Sequence, residues 1–133
     1  MNKHTILVPK DGPFKDAIRN PNAPEHMMVV KPITNRLRAY VGDDLIADTT
    51  NAVRVIEIGK SVYDPVIYFP VDDLVINLDA STRTTHCPLK GDASYLVFNE
   101  LEIAWTYETL DFANCLSGRL AFWANKVRIV EGE

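Results

Sequence analysis

The residues with the most chemical potential lie in segment 84–95, which reads TTHCPLKGDASY. It places Cys87 three positions before Lys90, with Gly91 next. A positive charge near a thiol favours the thiolate, which is the nucleophilic form of cysteine. Cys87, assisted by Lys90, is therefore a candidate nucleophile or redox centre. The alternative is that Cys87 is a small buried side chain, as free cysteines often are.

The residues around Cys87 leave two further interpretations open. Lys90 and Gly91 suit an anionic group, because lysine supplies a point charge and glycine allows close backbone approach. Alternatively, Gly91 supplies the positive φ of a turn and Lys90 is solvated. His86 is the neighbour of Cys87, so on a strand the two point to opposite faces. His86 is therefore a poor general base for Cys87, and we place it among the ligand-binding candidates.

A charged residue inside a predicted strand suggests an ion-pair partner for Lys90 in the turn at 87–91. Residues 52–58 (AVRVIEI) are typical of a strand and contain Arg54 and Glu57, three positions apart. Three apart on a strand means opposite faces, so one of the two points inward and needs a partner. We expect either that Glu57 meets Lys90 or that Arg54 meets an aspartate.

Aromatic residues near these blocks complete a candidate pocket. Ligand pockets are commonly lined by aromatic side chains with a few fixed polar groups. The aromatic set is Tyr68, Tyr95, Trp105, Tyr107 and Trp123, and alternation suggests that most of them are core or rim packing. If a pocket exists, Tyr68, Tyr95 and Trp105 are nearest to it. The predicted site has Cys87 and Lys90 as catalytic candidates and, as ligand-binding candidates, Glu57, Tyr68, His86, Gly91, Tyr95 and Trp105.

The cysteine and histidine inventory predicts no metal and no cofactor. The chain has two cysteines, Cys87 and Cys115, and three histidines, His4, His26 and His86. A structural zinc site usually takes four such ligands at tight spacing, and no CxxC pair is present. A disulfide between the two cysteines stays open, because sequence does not give their separation.

Composition excludes several classes of protein. The 133 residues carry a net charge of −4, and the pI is about 5.3, which argues against a nucleic-acid partner. No apolar run approaches the roughly 18 residues of a membrane span, and none resembles a signal peptide. We expect a cytoplasmic protein whose partner is a small molecule; the oligomeric state stays open.

Short β-type runs separated by turn signals predict a mostly β, antiparallel, single compact domain, β-tent-like or barrel-like, with one or two short helices. The expected domain is 1–133, with a proline-rich N-terminal wrap (1–35) and a β-rich core (36–131). Gly42-Asp43, Asn99-Glu100 and Asn125-Lys126 are predicted hairpin turns. The short helices are expected at 13–19 and 109–117. The predicted strands are 36–41, 45–49, 52–58, 65–70, 72–78, 93–98, 102–108, 119–124 and 127–131.

Several blocks together resemble the domain of unknown function 427 family, a group of small bacterial proteins with some eukaryotic relatives. They are ADTTNAVRVIE (47–57), VIYFP (66–70), STRTTHCPLKGDASY (81–95), AWTYE (104–108) and GRLAFWANKVRI (118–129). The CPxKGxAxY block is the most specific of them. One departure from the family pattern is His86, which stands where a tyrosine is common.

The resemblance implies architecture more than chemistry. The family is similar to the β-tent group, which includes methionine sulfoxide reductase B and small zinc-binding proteins. Those relatives often hold zinc on paired CxxC motifs, which this chain lacks. The family also bears a nucleotidyltransferase label, but no Gly-Ser followed by spaced catalytic aspartates is present here.

Three function hypotheses follow from these residues. The favoured one is a small-molecule binding module with a pocket around the turn at 87–91. The alternative is an enzyme that uses Cys87 as nucleophile or redox centre. An interaction protein working through a sheet edge is the weakest, because no long unprotected strand is evident.

Overall fold

A computed structural model of the protein describes residues 16–132, and within this range strands dominate. The mostly β, antiparallel prediction is confirmed. The strands are β1 (Ile18–Asn20), β2 (Ala23–Ile33), β3 (Leu37–Val41), β4 (Asp44–Thr49), β5 (Ala52–Ile58), β6 (Val66–Pro70), β7 (Asp79–Cys87), β8 (Gly91–Phe98), β9 (Leu101–Leu110), β10 (Arg119–Phe122) and β11 (Arg128–Glu131).

The strands form two antiparallel sheets. The larger has eight strands in the order β1-β2-β5-β6-β10-β9-β8-β7, and the smaller has three in the order β11-β3-β4. The larger sheet curls so that its two ends approach each other. Asn20 Nδ2 at one end donates to the carbonyl of Pro88 at the other end, 3.1 Å away. In the described residues no backbone ladder joins β1 to β7, so the sheet is not a closed barrel.

Each face of the large sheet buries its own hydrophobic cluster, because side chains alternate between faces along a strand. Phe69 and Leu120 pack with Leu37 and Ile46 of the smaller sheet. Tyr68 and Ala121, the sequence neighbours of Phe69 and Leu120, point to the inside of the curl. There they join a second cluster that includes Met28, Val55, Tyr68, Leu89, Tyr107 and Ala121. The candidate site lies on this inner face.

One strand prediction and one hairpin prediction were wrong. Residues 72–78 are not a strand; Val71–Asp73 form a 3-10 turn, and Leu74 makes only an isolated bridge to Ala47. The hairpin at Asn125-Lys126 was also wrong, because β10 and β11 belong to different sheets. The backbone amides of Lys126 and Val127 both donate to the carbonyl of Trp123, and this turn redirects the chain.

Of the two predicted helices, one is reduced to a single turn and the other is a strand in its described part. The expected helix at 109–117 is a single 3-10 turn, Asn114–Leu116, because β9 continues to Leu110. The predicted helix at 13–19 is wrong in its described part, where Ile18–Asn20 is a strand.

Residues 1–15, including His4, lie outside the described range. Within the predicted N-terminal wrap, β2 pairs with β5 at seven positions and is thus part of the sheet. The single-domain boundary stays a prediction.

Among the described residues, no helix has the length and apolar character needed to cross a membrane.

Candidate functional site

A row of side chains directly opposite one another crosses the inner face of the large sheet. Tyr95 pairs with Trp105, Trp105 with Ala121, Ala121 with Tyr68, and Tyr68 with Val53. Residues paired in this way share a face of the sheet. Ala121 contributes only a methyl group between its two large neighbours. The ring centroids of Tyr68 and Trp105 lie 6.5 Å apart, with the rings nearly perpendicular.

Residues two positions along each strand extend the same face. Tyr107 follows Trp105 on β9, and Glu57 follows Val53 and Val55 on β5. Trp123, just after β10, packs against Trp105 at a centroid distance of 4.5 Å and stacks on Tyr95 at 6.3 Å. These side chains surround a cavity of about 200 Å³ whose polar lining includes Glu57, Lys90 and Asp64.

Glu57 and Lys90 form a buried ion pair at the edge of this cavity. Lys90 Nζ donates to Glu57 Oε1 at 2.5 Å, and each side chain is only 12% exposed. Of the two alternative pairings expected from the sequence, the meeting of Glu57 with Lys90 is the one that the structure contains. The turn that presents Lys90 is anchored by Leu89, which is fully buried, and by Gly91, whose φ is +111°. The positive φ of Gly91 is the turn role that the sequence left open.

His26, on β2, holds the other carboxylate oxygen of Glu57. His26 Nε2 lies 2.6 Å from Glu57 Oε2, and because an ionised carboxylate only accepts hydrogen bonds, His26 is the donor. Burial by itself would raise the pKa of Glu57, but the hydrogen bonds and charges of Lys90 and His26 outweigh it and lower that pKa. Glu57 is thus an anion held between two donors.

The ammonium group of Lys90 is stabilised in the same way. Burial by itself would lower the pKa of Lys90, but the neighbouring Tyr68 and the hydrogen bond and charge of Glu57 outweigh it, so that pKa is raised. Lys90 Nζ also lies 5.5 Å from the ring centroid of Tyr107. The ammonium group of Lys90, which in the enzyme hypothesis favours the thiolate of Cys87, is therefore paired with the carboxylate of Glu57.

Tyr68 and Tyr107, two of the buried tyrosines, keep their hydroxyl protons. Burial raises the pKa of Tyr68 and of Tyr107 well above the usual range, and burial is the largest cause for both. Both side chains line the cavity. They offer it neutral hydroxyl groups, which both donate and accept hydrogen bonds.

Cys87 lies beside the ion pair and is not among the residues that line the cavity. It is a half-buried free thiol, and Cys115 is also free, so the structure contains no disulfide between them. The Cys87 sulfur, a ring nitrogen of His26 and a carboxylate oxygen of Glu57 all lie within 4.8 Å of one another. His26, and not His86, is the imidazole near the thiol.

His86 points to the opposite face, as expected for the neighbour of Cys87. Its side chain is 59% exposed, and Nδ1 lies 2.8 Å from Asp92 Oδ1 on the facing strand. His86 and Asp92 line a separate surface depression. Of the eight predicted site residues, Glu57, Tyr68, Lys90, Tyr95 and Trp105 line the cavity, whereas Cys87, His86 and Gly91 do not.

A second, larger cavity of about 720 Å³ adjoins the first. The two share four lining residues, which are Asp64, Val66, Trp105 and Trp123. The larger cavity lies over the turn after β10 and lacks the Glu57–Lys90 pair. Trp105 and Trp123 therefore line both the cavity with the ion pair and the larger one.

Comparison with known proteins agrees with the block pattern around the site. The model of the domain of unknown function family DUF427 matches residues 29–133, which is most of the chain. The chain belongs to the DUF427 family. No curated protein matches it. The family match begins within β2, and every residue named above as lining the smaller cavity falls within the matched range.

The sequence interpretation of this DUF427 protein missed several contributors to the site, among them Tyr107, Trp123 and His26. Tyr107 and Trp123 were left out of the candidate pocket, although both line the cavity. His26 was considered only as a potential zinc ligand. Its strand lies next to β5, but residues 23–33 show no period-2 alternation, since Met27 to Val30 are four apolar residues in a row. Pro24 and Pro32 also argued against a strand there, because proline is uncommon inside strands.

Proposed function

We propose that this DUF427 protein is a small-molecule binding module whose ligand occupies the cavity lined by Glu57, Tyr68, Lys90, Tyr95 and Trp105. The observation that supports the proposal is the position of the Glu57–Lys90 ion pair on an aromatic wall. Taking two charges out of water costs several kcal/mol per ion, and hydrophobic residues often stabilise a core at least as well. An ion pair that lines a cavity instead supplies fixed polar groups for recognition.

The lining suggests the chemistry of the ligand. Aromatic faces favour a flat ring, since stacked and edge-on aromatic contacts are favourable. The carboxylate of Glu57, the ammonium of Lys90 and the hydroxyls of Tyr68 and Tyr107 offer both acceptors and donors. The 200 Å³ cavity is smaller than the roughly 300–1,000 Å³ of typical ligand sites. We infer a ring-sized polar group there, with any remainder of the ligand in the adjoining cavity.

Intrinsic fluorescence tests this proposal directly. The chain has two tryptophans, Trp105 and Trp123, and both line the cavity. A library of one- and two-ring carboxylates, amides and heterocyclic amines is titrated against the protein while tryptophan emission is followed. We expect hits whose affinity falls roughly tenfold or more, about 1.4 kcal/mol, in Lys90→Met. Tyr68→Phe removes one hydroxyl and should weaken the same hits less.

The matched control is His86→Ala, which alters an exposed histidine outside the cavity and should leave affinity unchanged. Hits that bind wild type and Lys90→Met equally would contradict the proposal. Cross-peaks between ligand and tryptophan ring protons in NMR spectra locate each hit independently of the variants.

A second candidate is an enzyme with Cys87 as nucleophile or redox centre. The observation that favours it is the approach of the thiol to His26 and Glu57, because an imidazole oriented by a carboxylate is the usual partner of a nucleophilic thiol. In a Cys115→Ser background, rapid alkylation of Cys87 by iodoacetamide at neutral pH, slowed by His26→Gln, would support this candidate. Alkylation no faster than that of a free cysteine peptide would exclude it.

A further inference from the structure

Three side chains with metal-binding atoms converge where the two ends of the large sheet face each other. They are His26 on β2, Glu57 on β5 and Cys87 at the end of β7, each from a different strand. Positions 26 and 87 are far apart in sequence, and in the sheet order β2 and β7 are separated by five other strands. Only the curl of the sheet brings them together.

We propose that His26, Glu57 and Cys87 form a binding site for a divalent transition-metal ion of the zinc type. Imidazole nitrogen, carboxylate oxygen and thiolate sulfur are the three ligand types that zinc takes in proteins. A hard ion such as Mg²⁺ or Ca²⁺ prefers all-oxygen sites, so the mixed donor set selects against it.

The distances are compatible with this assignment. Zinc bonds of about 2.0–2.3 Å in a tetrahedron place ligand atoms roughly 3.3–3.7 Å apart. The three donor atoms lie within 4.8 Å of one another, and His26 Nε2 lies 2.6 Å from Glu57 Oε2. Shifts of about 1 Å, within reach of side-chain rotations, would bring all three to bonding distance.

Lys90 occupies the position of an outer partner. It donates to Glu57 Oε1, which leaves Glu57 Oε2 on the side of His26. Carboxylates that ligate metals are typically hydrogen-bonded in this way by a second group, which fixes their orientation. Two anionic ligands, from Glu57 and Cys87, would balance the charge of a divalent ion.

Three protein ligands leave a fourth position of a tetrahedral ion open, as in catalytic zinc sites. Glu57 lines the aromatic cavity, so an ion bound to it would lie at the cavity margin. The metal proposal does not require the small-molecule proposal. Trp105→Ala separates them, because it removes a cavity wall and leaves all three metal ligands in place.

Titration with metal alone provides the test. The full chain with Cys115→Ser is stripped with a chelator and titrated with Co²⁺, which gives a thiolate-to-cobalt charge-transfer absorption when sulfur ligates. Cys87 is the remaining thiol of that variant. The expected result is such a band, saturating at one equivalent and removed by competing Zn²⁺. Absence of the band would overturn the proposal. The measurement needs no substitution of His26, Glu57 or Cys87.

Calorimetric titration with Zn²⁺ identifies the other ligands. We expect His26→Gln and Cys87→Ser to weaken binding by more than the ~10- to 100-fold typical of losing an outer-shell partner. His86→Gln is the matched control and should bind as wild type. Equal affinity in His26→Gln and His86→Gln would overturn the assignment. Circular dichroism verifies that each variant is folded, and the cobalt band decides the matter if one is not.

Discussion

Lys90 donates to Glu57 across 33 positions of sequence, and each side chain of the pair is 12% exposed. The contact joins β5 to the turn between β7 and β8, although β6, β10 and β9 lie between β5 and β8 in the sheet order. The pair therefore links opposite sides of the curl as well as lining the cavity. Its energetic role is open to direct measurement.

Removing one member of the pair should destabilise the protein. Lys90→Met leaves Glu57 with His26 alone, and Glu57→Gln leaves a buried ammonium near the ring of Tyr107. We expect each single variant to lose about 3 kcal/mol of unfolding free energy, at the low end for a broken buried pair. The double variant should lose less than the sum, because no unpaired charge remains. Urea denaturation of all four proteins checks this, and strict additivity would contradict it.

Stability should fall in alkaline solution because of the buried phenols of Tyr68 and Tyr107. Burial raises the pKa of Tyr68 and Tyr107 in the folded state. A raised folded-state pKa contributes stability that is fully present below the unfolded value, about 10, and is lost as pH rises above it. Unfolding free energies measured from pH 8 to pH 11 should therefore decline above about pH 10. Tyr107→Phe should flatten the decline, and an unchanged slope would count against this cause.

The CPLKG turn should prove structurally important at Leu89, whatever its function. Leu89 is fully buried in the inner cluster, although it lies in a turn. Leu89→Ala should cost about 2–5 kcal/mol, the range for truncating a buried leucine. Leu101→Ala is the matched control, since Leu101 is 38% exposed. Thermal or urea unfolding distinguishes the two, and similar losses in both would refute the burial argument.

The turn between β8 and β9 offers a stabilising substitution. Asn99 and Glu100 have φ values of +49° and +66°, so both occupy the left-handed region of a tight hairpin. Asn-Gly is the preferred pair there, because glycine has no side-chain penalty at positive φ. We expect Glu100→Gly to raise the unfolding free energy by about 1 kcal/mol. Glu100→Ala removes the carboxylate but retains the strain, so it should give no comparable gain.

Local patterns predicted elements well where a strand's neighbours did not matter. Residues 52–58 were predicted as a strand, and β5 is Ala52–Ile58. The inward charge in that run gave two alternative pairings, of which Glu57 with Lys90 is present. Both inferences depend on period-2 alternation and on the cost of an unpaired inward charge, which are properties of the strand itself.

Partner choice could not be read in the same way. Asn125-Lys126 looks like a hairpin loop, yet β10 lies between β6 and β9 while β11 pairs with β3. Leu120, Ala121 and Phe122 are all buried, so β10 needs cover on both faces, which only a central place in the large sheet supplies. Burial on two faces depends on other layers of the fold and not on the loop.

The sequence by itself determined that this protein is built mostly from antiparallel strands, and that either Arg54 or Glu57 points inward and needs a partner. Only the tertiary structure decided that His26 joins Glu57 and Cys87, and that Tyr107 and Trp123 wall a cavity. Alternation is a local property of the chain. The meeting of β2 with β7 depends on the curvature of the whole eight-stranded sheet, and that curvature arises from packing along its entire inner face.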